Sequence, residues 1–572
     1  MMDDADEDES DGDGDIIPKP ELMSANQTLH EDLMRLKHEQ RRHRNRKTTA
    51  TEEDIQNMDD MDEGASDKEL QFKVAELESE RRQLQRELFE SQEKARGSTD
   101  FEVHRNWLSI THSLPISEWY FEATSPWTLD YPPAFAYFEW LLSQVAVLFD
   151  PAMLQVNNLE YASWATIQFQ RHSVIAADLL LMVGGLALGG PETAAALLWN
   201  SALILVDHIH FQYNGMMLGL LLLSVTAVES GRTYLGAFLF CTLLCMKHIF
   251  LYVGPVYFIY LLRSHCGACF QPPRLFIWPL MKLATTVVGT FLVLLSPFLS
   301  LAQLQQIGQR LFPFGRGLTH AYWAPNCWAL YNTLDRVLAK VMGKSSGSSS
   351  TAGFAEVYES AVLWTIPPRV TFLLTLLAYC PLILAIWTRT GPAPLPAVAD
   401  KGSFATYVAL GSAVAFAFGW HVHEKAILMV TIPLLAACTS GRPSNSLVSS
   451  YLVLSFVASF SVMPLLPNEP LETGLKWILL LAGGLVEVQL LGGSRLLGMR
   501  TLPWILLAAF FALLGAYRDL GGHRLLFRDR MEFLPLLLTS DFSAVLVLGA
   551  FGNVFSMLRS GSNGSRNKQH SA

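Results

Sequence analysis

The sequence predicts an all-α polytopic membrane protein, and three observations carry that prediction. Of 572 residues, 51% are hydrophobic and only 16% charged. A soluble chain of ordinary composition carries about a quarter of its residues as charges. The acids are concentrated at one end, so the formal net charge of −10 describes the tail more than the body. From about position 135 onward, apolar stretches follow one another almost to the C-terminus.

Residues 1–97 read as a separate polar unit. "MMDDADEDESDGDGD" is an acidic low-complexity run whose composition predicts disorder. "EQRRHRNRK" is a basic run that could bind nucleic acid but is more often simply solvated. Leu70, Val74, Leu77, Leu84 and Leu88 recur at the spacing of a short coiled coil, with Arg81 spoiling one seam position. No signal peptide is expected at the N-terminus, and no apolar segment precedes Phe135. The remaining basic residues are scattered through short loops, which argues against a nucleic-acid partner. Cys266 and Cys269 form a CxxC pair, but no second pair completes a zinc site.

Residues 98–560 hold the membrane body. A helix crossing a bilayer needs roughly 20 mostly apolar residues. Candidate spans lie at 165–190, 192–207, 211–229, 234–247, 249–263, 277–300, 361–388, 403–420, 425–439, 446–465, 474–492, 502–517 and 533–557. The stretch 135–149 is short and aromatic and reads as an interface helix. Residues 561–572 are a polar tail expected in the cytoplasm.

Alternation of these spans sorts the loops onto two faces. One collects short Arg- and Lys-bearing loops and is cytoplasmic by the positive-inside rule. The basic loop "RDLGGHRLLFRDR" falls on the other face and breaks the pattern. That other face gathers "TDFEVHRNW", "LDYPP", "DHIHFQYNG", "KHIF", "RLFPFGRGLTHAYWAPNCWALYN" and "GWHVHEK". Ionisable residues against membrane helices are costly and mark a functional site by default. The candidates are Asp100, Glu102, His104, Arg105, Asp130, Asp207, His208, His210, Gln212, Lys247, Arg316, His320, His421, His423, Glu424 and Lys425.

Each has a plainer reading. Asp130, before Tyr-Pro-Pro, could cap a helix. His208 and His210, two apart, do not share a helix face, so no metal is expected there. Arg310 and Arg316 could be interface anchors. Together, however, the set offers cations for a phosphate, aromatics for a sugar and a carboxylate base for a hydroxyl. An enzyme using a polyprenyl-phosphate sugar needs all three at a membrane surface. No Walker loop, no Gly-rich dinucleotide fingerprint and no soluble DxD domain is present, so nucleotide use is not expected. A polytopic transporter, with polar groups near the bilayer midplane, is the reading from another class, as is a non-catalytic membrane interaction protein. Polar clusters at span ends favour an interfacial enzyme.

"STDFEVHRNWLSITHSLPISEWY", "WTLDYPP", "DHIHFQYNG", "RLFPFGRGLTHAYWAPN" and "FGWHVHEKAIL" resemble the eukaryotic dolichyl-phosphate-glucose-dependent α-1,3-glucosyltransferases of the GT-C superfamily. The motifs run in order from residue 98 to about 430. The resemblance implies a GT-C fold, with about 12–14 transmembrane helices and luminal loops carrying interface helices. It implies an inverting transfer in the endoplasmic reticulum lumen. The donor would be dolichyl-phosphate-glucose and the acceptor a dolichyl-diphosphate oligosaccharide, with no cofactor. Asp100, in the "DFE" motif, would be the general base, and Asp130 would share the site. "RGLTHAYWAPNCWALYN" and "FGWHVHEK" are similar to the branch that adds the second glucose; the first-glucose branch is the alternative. Lys425 and Arg316, assisted by His423, would hold the dolichyl phosphate.

One departure stands out. Family members lead into the "DFE" loop through a hydrophobic helix, whereas here the polar tail joins at about Gly97. Either the tail enters the lumen, or the topology changes, or a foreign first exon has been joined to the body; the last is favoured.

The topology is testable. Cysteines introduced at positions 212, 320 and 421 should resist a membrane-impermeant thiol reagent in sealed microsomes and react once the membrane is opened. Labelling of any of them in sealed vesicles refutes the assignment.

Overall fold

The computed structural model describes residues 99–569 and Lys73, apart from 270, 313–316, 321–322, 345–349, 352–359, 391–402, 441–442, 467–469, 492–500, 529 and 532. The expected acidic run, the short coiled coil and Arg316 lie outside the described residues. Asp100–Ala572 form one unit.

Two helices open it, α1 (Thr99–Ser113) and α2 (Pro133–Ala146). There follow α3 (Trp164–Gly189), α4 (Pro191–Leu198), α5 (Asn214–Glu229), α6 (Thr233–Met246), α7 (Gly254–Ser264) and α8 (Pro273–Leu295). Then come α9 (Leu301–Leu311), α10 (Cys327–Val341), α11 (Pro368–Arg389), α12 (Ser403–Phe418), α13 (Leu428–Thr439) and α14 (Asn445–Val462). The series ends with α15 (Pro470–Leu490), α16 (Thr501–Asp519), α17 (Gly522–Phe527) and α18 (Leu534–Gln569). The sole sheet among the described residues is a two-residue parallel pairing of β1 (Thr319–His320) with β2 (Ser350–Thr351). The fold is nearly all helical, as the composition predicts.

Five helical segments are long and apolar enough to cross a membrane by length and composition: Trp164–Gly189, Pro273–Phe298, Pro368–Arg389, Asn445–Leu465 and Leu534–Leu558. Three shorter apolar helices, α5, α6 and α12, accompany them. The difference from the larger expected number has a physical source. Several expected spans are broken by tight turns of backbone. Residues 192–207 divide into α4, a cap at Asn200 and a π-helical segment, Ile204–Ile209. Residues 249–263 start as a 3-10 stretch, His248–Val253, ahead of α7. A 3-10 turn, Glu424–Ile427, holds Lys425 ahead of α13, so this residue does not open a long helix as expected.

Local chemistry sets the helix ends. Ser163 caps α3 by accepting from the Thr166 N–H, and Gly190, at φ +85°, ends it. Prolines at the start of α2 fit a first turn that has no donors to satisfy. The polar stretch around Asp100, read as a loop from sequence, is a helix. It is not a bilayer span, because its buried face includes Glu102, His104, Arg105 and Asn106. The long polar loop between α8 and α11 likewise contains α10. Its Asp335 carboxylate accepts from three backbone N–H groups, those of Ala361, Val362 and Leu363. The neighbouring α9 clamps the α1–α2 connection, with Gln306 and Arg310 both donating to the Tyr120 carbonyl.

The α3–α5 contact places the site. Gly215 and Gly219 repeat at the small-xxx-small spacing that lets membrane helices approach closely. A Cβ on Gly219 would stand 2.5 Å from the Leu180 carbonyl, and one on Gly184 would stand 2.7 Å from the Gly219 carbonyl oxygen. Replacing Gly219 by Leu should therefore push α5 off α3 and lower the unfolding temperature in detergent. Gly289→Leu, where a Cβ meets nothing within 4 Å, should leave it unchanged. Equal melting of the two variants would show that the close approach is not needed.

Candidate active site

Asp100 sits in the first turn of α1, where the helix dipole favours a carboxylate. Its Oδ2 accepts from Gln212 Nε2 at 2.6 Å and from Lys425 Nζ at 2.9 Å, and lies 3.1 Å from His210 Nε2. Burial alone would raise its pKa. The Lys425 ammonium and His210 outweigh that and hold the carboxyl well below its ordinary value of 3.8. A depressed carboxyl pKa contributes stability that is present at neutral pH and lost only as the pH falls through the folded-state value. Asp100 is still partly open, with 21% of its side chain exposed.

A second layer fixes the first. Asn214 Nδ2 donates to Gln212 Oε1 at 2.7 Å and to Asp207 Oδ1 at 2.8 Å, while Asn214 Oδ1 accepts from Lys247 Nζ at 2.9 Å. The Gly215 N–H donates to Asp207 Oδ2. The Lys247 ammonium also lies 5.0 Å over the Tyr131 ring. Two backbone irregularities position this arm: the π-helical segment that carries Asp207 and His208, and Phe211 at φ +74°. Such conformations cluster at functional sites because the surroundings must hold them in place.

Beside this network stands a histidine cluster. The His320 and His423 ring centroids are 4.2 Å apart, and His421 lies 5.8 Å and 5.5 Å from them. Backbone pairing draws the two motifs together. The His421 N–H donates to the Leu318 carbonyl and Thr319 bridges to Val422, while His421 adopts φ +49° and its ring meets the Gly317 carbonyl at 2.8 Å. Trp328 Nε1 and Asn326 Nδ2 donate to the carbonyls of Gly419 and Phe416, tying α10 to the same segment. Glu424 is buried, which raises its pKa to about 7 against the opposing charge of Lys425.

Asp100, His210, Gln212 and Lys425 thus meet directly, and Asp207 and Lys247 join them through Asn214. Other candidates serve elsewhere. Arg105 forms a bidentate pair with Glu102 and donates to the Met153 carbonyl, and the Glu160 N–H donates to Glu102. These two charges satisfy each other and fasten the segment after α2. They are not presented to a ligand. His104 is 2.7 Å from Glu139 inside a shell of Trp107, Phe135, Phe211 and Tyr213. His208 pairs with Asp178 at 2.7 Å, so it and His210 diverge. Asp130 does not cap α2: the cap position is Pro132, with no side-chain bond. Its charge is felt instead by Arg310 and Lys247. Asn214 was overlooked in sequence because a neutral amide in a polar stretch carries no signal of its own. Asp178 was missed because it lies inside an apolar span.

A buried-edge carboxylate held by an ammonium, a histidine and an amide at the ends of apolar helices is the setting of a membrane enzyme, and the family match makes it a polytopic membrane glycosyltransferase of the GT-C kind. A profile of the ALG6, ALG8 glycosyltransferase family matches residues 93–554, and the chain belongs to that family. It is 44% identical over 472 residues to a Drosophila melanogaster protein named probable dolichyl pyrophosphate Glc1Man9GlcNAc2 alpha-1,3-glucosyltransferase, spanning 80% of this chain and 89% of the relative. The Mus musculus protein named dolichyl pyrophosphate Glc1Man9GlcNAc2 alpha-1,3-glucosyltransferase is 40% identical over 510 residues, 83% and 94% of the two chains. A protein of the same name from Arabidopsis thaliana is 43% identical over 404 residues, 68% and 77%.

Asn214 links three groups of the network, so Asn214→Leu, which keeps the volume and loses the polar bridge, should slow glycosyl transfer by about tenfold to a hundredfold, as loss of an orienting partner does. Turnover of the purified variant checks this. Wild-type turnover would mean that the outer layer is dispensable.

Proposed function

We propose that the protein transfers glucose from dolichyl-phosphate-glucose to the monoglucosylated dolichyl-diphosphate oligosaccharide, with inversion, at the luminal face of the endoplasmic reticulum membrane. The product is an α-1,3 linkage. The observation that carries the reading is the convergence of Asp100, His210, Gln212 and Lys425 on one oxygen. The names of the relatives support the acceptor. The "THAYWAPN" segment supports the second-glucose branch, by resemblance.

The chemistry is a single displacement. The acceptor 3-hydroxyl oxygen attacks glucose C1 from the side opposite the phosphate. The C1–O bond to phosphate breaks and its electron pair leaves on the phosphate. The hydroxyl proton passes to Asp100. One displacement turns a β-linked donor into an α-linked product and needs no covalent enzyme intermediate. Lys425, with Arg316 and His423, receives the phosphate charge, since charge-assisted bonds to an anion are the strong ones. The resting pair also has a consequence. While Lys425 holds Asp100, the carboxylate is a weak base. A phosphate that draws Lys425 away makes Asp100 more basic, so donor binding prepares the base.

Asp100→Asn removes the base and the charge facing Lys425 while keeping the shape of the side chain. It should lower transfer by about 10²–10⁴-fold with the fold intact. Near wild-type conversion of the acceptor would sink the assignment. In the same assay the monoglucosylated acceptor should outpace the unglucosylated one by about tenfold or more, because a pocket built for that glucose leaves polar groups unpaired without it. Equal rates would move the chain to the first-glucose branch.

A further inference from the structure

One group in the molecule is hard to account for by the transfer reaction. Glu424 is 1% exposed, and both of its carboxylate oxygens are buried with no hydrogen-bond partner among the described residues. Leaving a buried carboxylate without partners is costly. The neighbouring Lys425 does not address it with a hydrogen bond, because its ammonium turns to Asp100. What does face Glu424 is imidazole: one ligand atom each from His320, His423 and Glu424 all lie within 4.8 Å of one another.

We propose that His320, His423 and Glu424 hold a divalent first-row metal ion, with zinc as the fitting occupant. Two imidazole nitrogens and a carboxylate oxygen are a donor set that zinc accepts in open sites, with bond lengths of about 2.0–2.2 Å. Ligand atoms around such an ion stand roughly 3.4 Å apart at the tetrahedral angle. The cluster, with ligand atoms within 4.8 Å of one another, therefore needs to tighten by at most about 1.4 Å on binding. Its frame is already built. His320 lies on β1, His423 precedes the 3-10 turn that buries Glu424, and the Thr319–Val422 bridge holds the two segments in register. His421 lines the cluster, but its Nδ1 is engaged by the Gly317 carbonyl, so it is not counted among the ligands. A bound cation would neutralise the Glu424 carboxylate and place positive charge one residue from Lys425. The sequence hid this site because His320 is about a hundred residues from the adjacent His423 and Glu424, and no short spacing by which zinc motifs are read is present among them.

The proposal stands on the cluster and not on the glucosyl-transfer reading, and it makes His423 a metal ligand, leaving the phosphate to Lys425 and Arg316. The test uses the purified full-length chain, stripped with chelator and titrated with Zn²⁺, with bound metal counted by elemental mass spectrometry. Co²⁺ is the spectroscopic probe. One equivalent should bind wild type, and Co²⁺ should give visible ligand-field bands. His320→Ala and Glu424→Gln should each weaken binding by about tenfold or more. Glu424→Gln is nearly isosteric, and equal unfolding temperatures of the chelator-treated variant and wild type would show that the fold is kept. Sub-stoichiometric binding to wild type overturns the proposal. So does zinc that survives both substitutions, since it would then belong to cysteines such as Cys266 and Cys269.

Discussion

The site depends on one oxygen atom. Asp100 Oδ2 gathers Gln212, Lys425 and His210 within 3.1 Å, and these partners come from two stretches of chain, one around residue 211 and one at residue 425. A half-buried carboxylate at the edge of a membrane is tolerated only when cations and donors compensate its lost hydration. The requirement is mutual, because Lys425 against apolar helices also needs its anion. Breaking the contact would leave Lys425 without its anion and Asp100 with only Gln212 and His210, so the pair ties α1 to the turn ahead of α13.

That pair explains the arrangement around it. To present Lys425 to α1, the chain must leave α12 and turn tightly before entering α13, and the 3-10 turn at Glu424–Ile427 does so. To present Gln212 and His210, the chain must leave a membrane helix early, and the π-helical segment with left-handed Phe211 does so. Each irregular residue costs of order 1–3 kcal/mol. Such costs persist where neighbours over-determine them. Phe211 packs on Phe101 and His104, and His421 is paired to the β1 segment. The broken spans are thus a consequence of the site.

Much of this was legible in the sequence. Long apolar runs announced α3, α8, α11, α14 and α18, since a bilayer demands length and little else. Ionisable residues in polar stretches bordering apolar sequence made Asp100, Lys247 and Lys425 candidates, because such residues need a reason to be there. Pairing was not legible. Nothing in one dimension distinguishes Glu102, which satisfies Arg105 three residues away, from Asp100, whose partner is 325 residues away. The stretch read as a polar loop is the helix α1, whose buried face is polar and meets Glu139 of α2 rather than presenting a greasy stripe. Arg310, which the sequence offered as an interface anchor, is a clamp on the Tyr120 and Glu122 carbonyls and the Thr128 hydroxyl.

The two clusters share a boundary at one peptide bond. Lys425 faces the Asp100 network, and Glu424, the residue before it, faces the histidines. Adjacent residues in so tight a turn cannot move independently. Any anion that draws Lys425 away from Asp100 must therefore shift the turn that buries Glu424. Conversely, whatever compensates Glu424 stiffens the turn and fixes where the Lys425 ammonium points. The histidine cluster and the Asp100 network are in this way joined through one short turn. Coupling of this kind requires only a rigid short segment with charged groups on both faces, and residues 421–427 have that form.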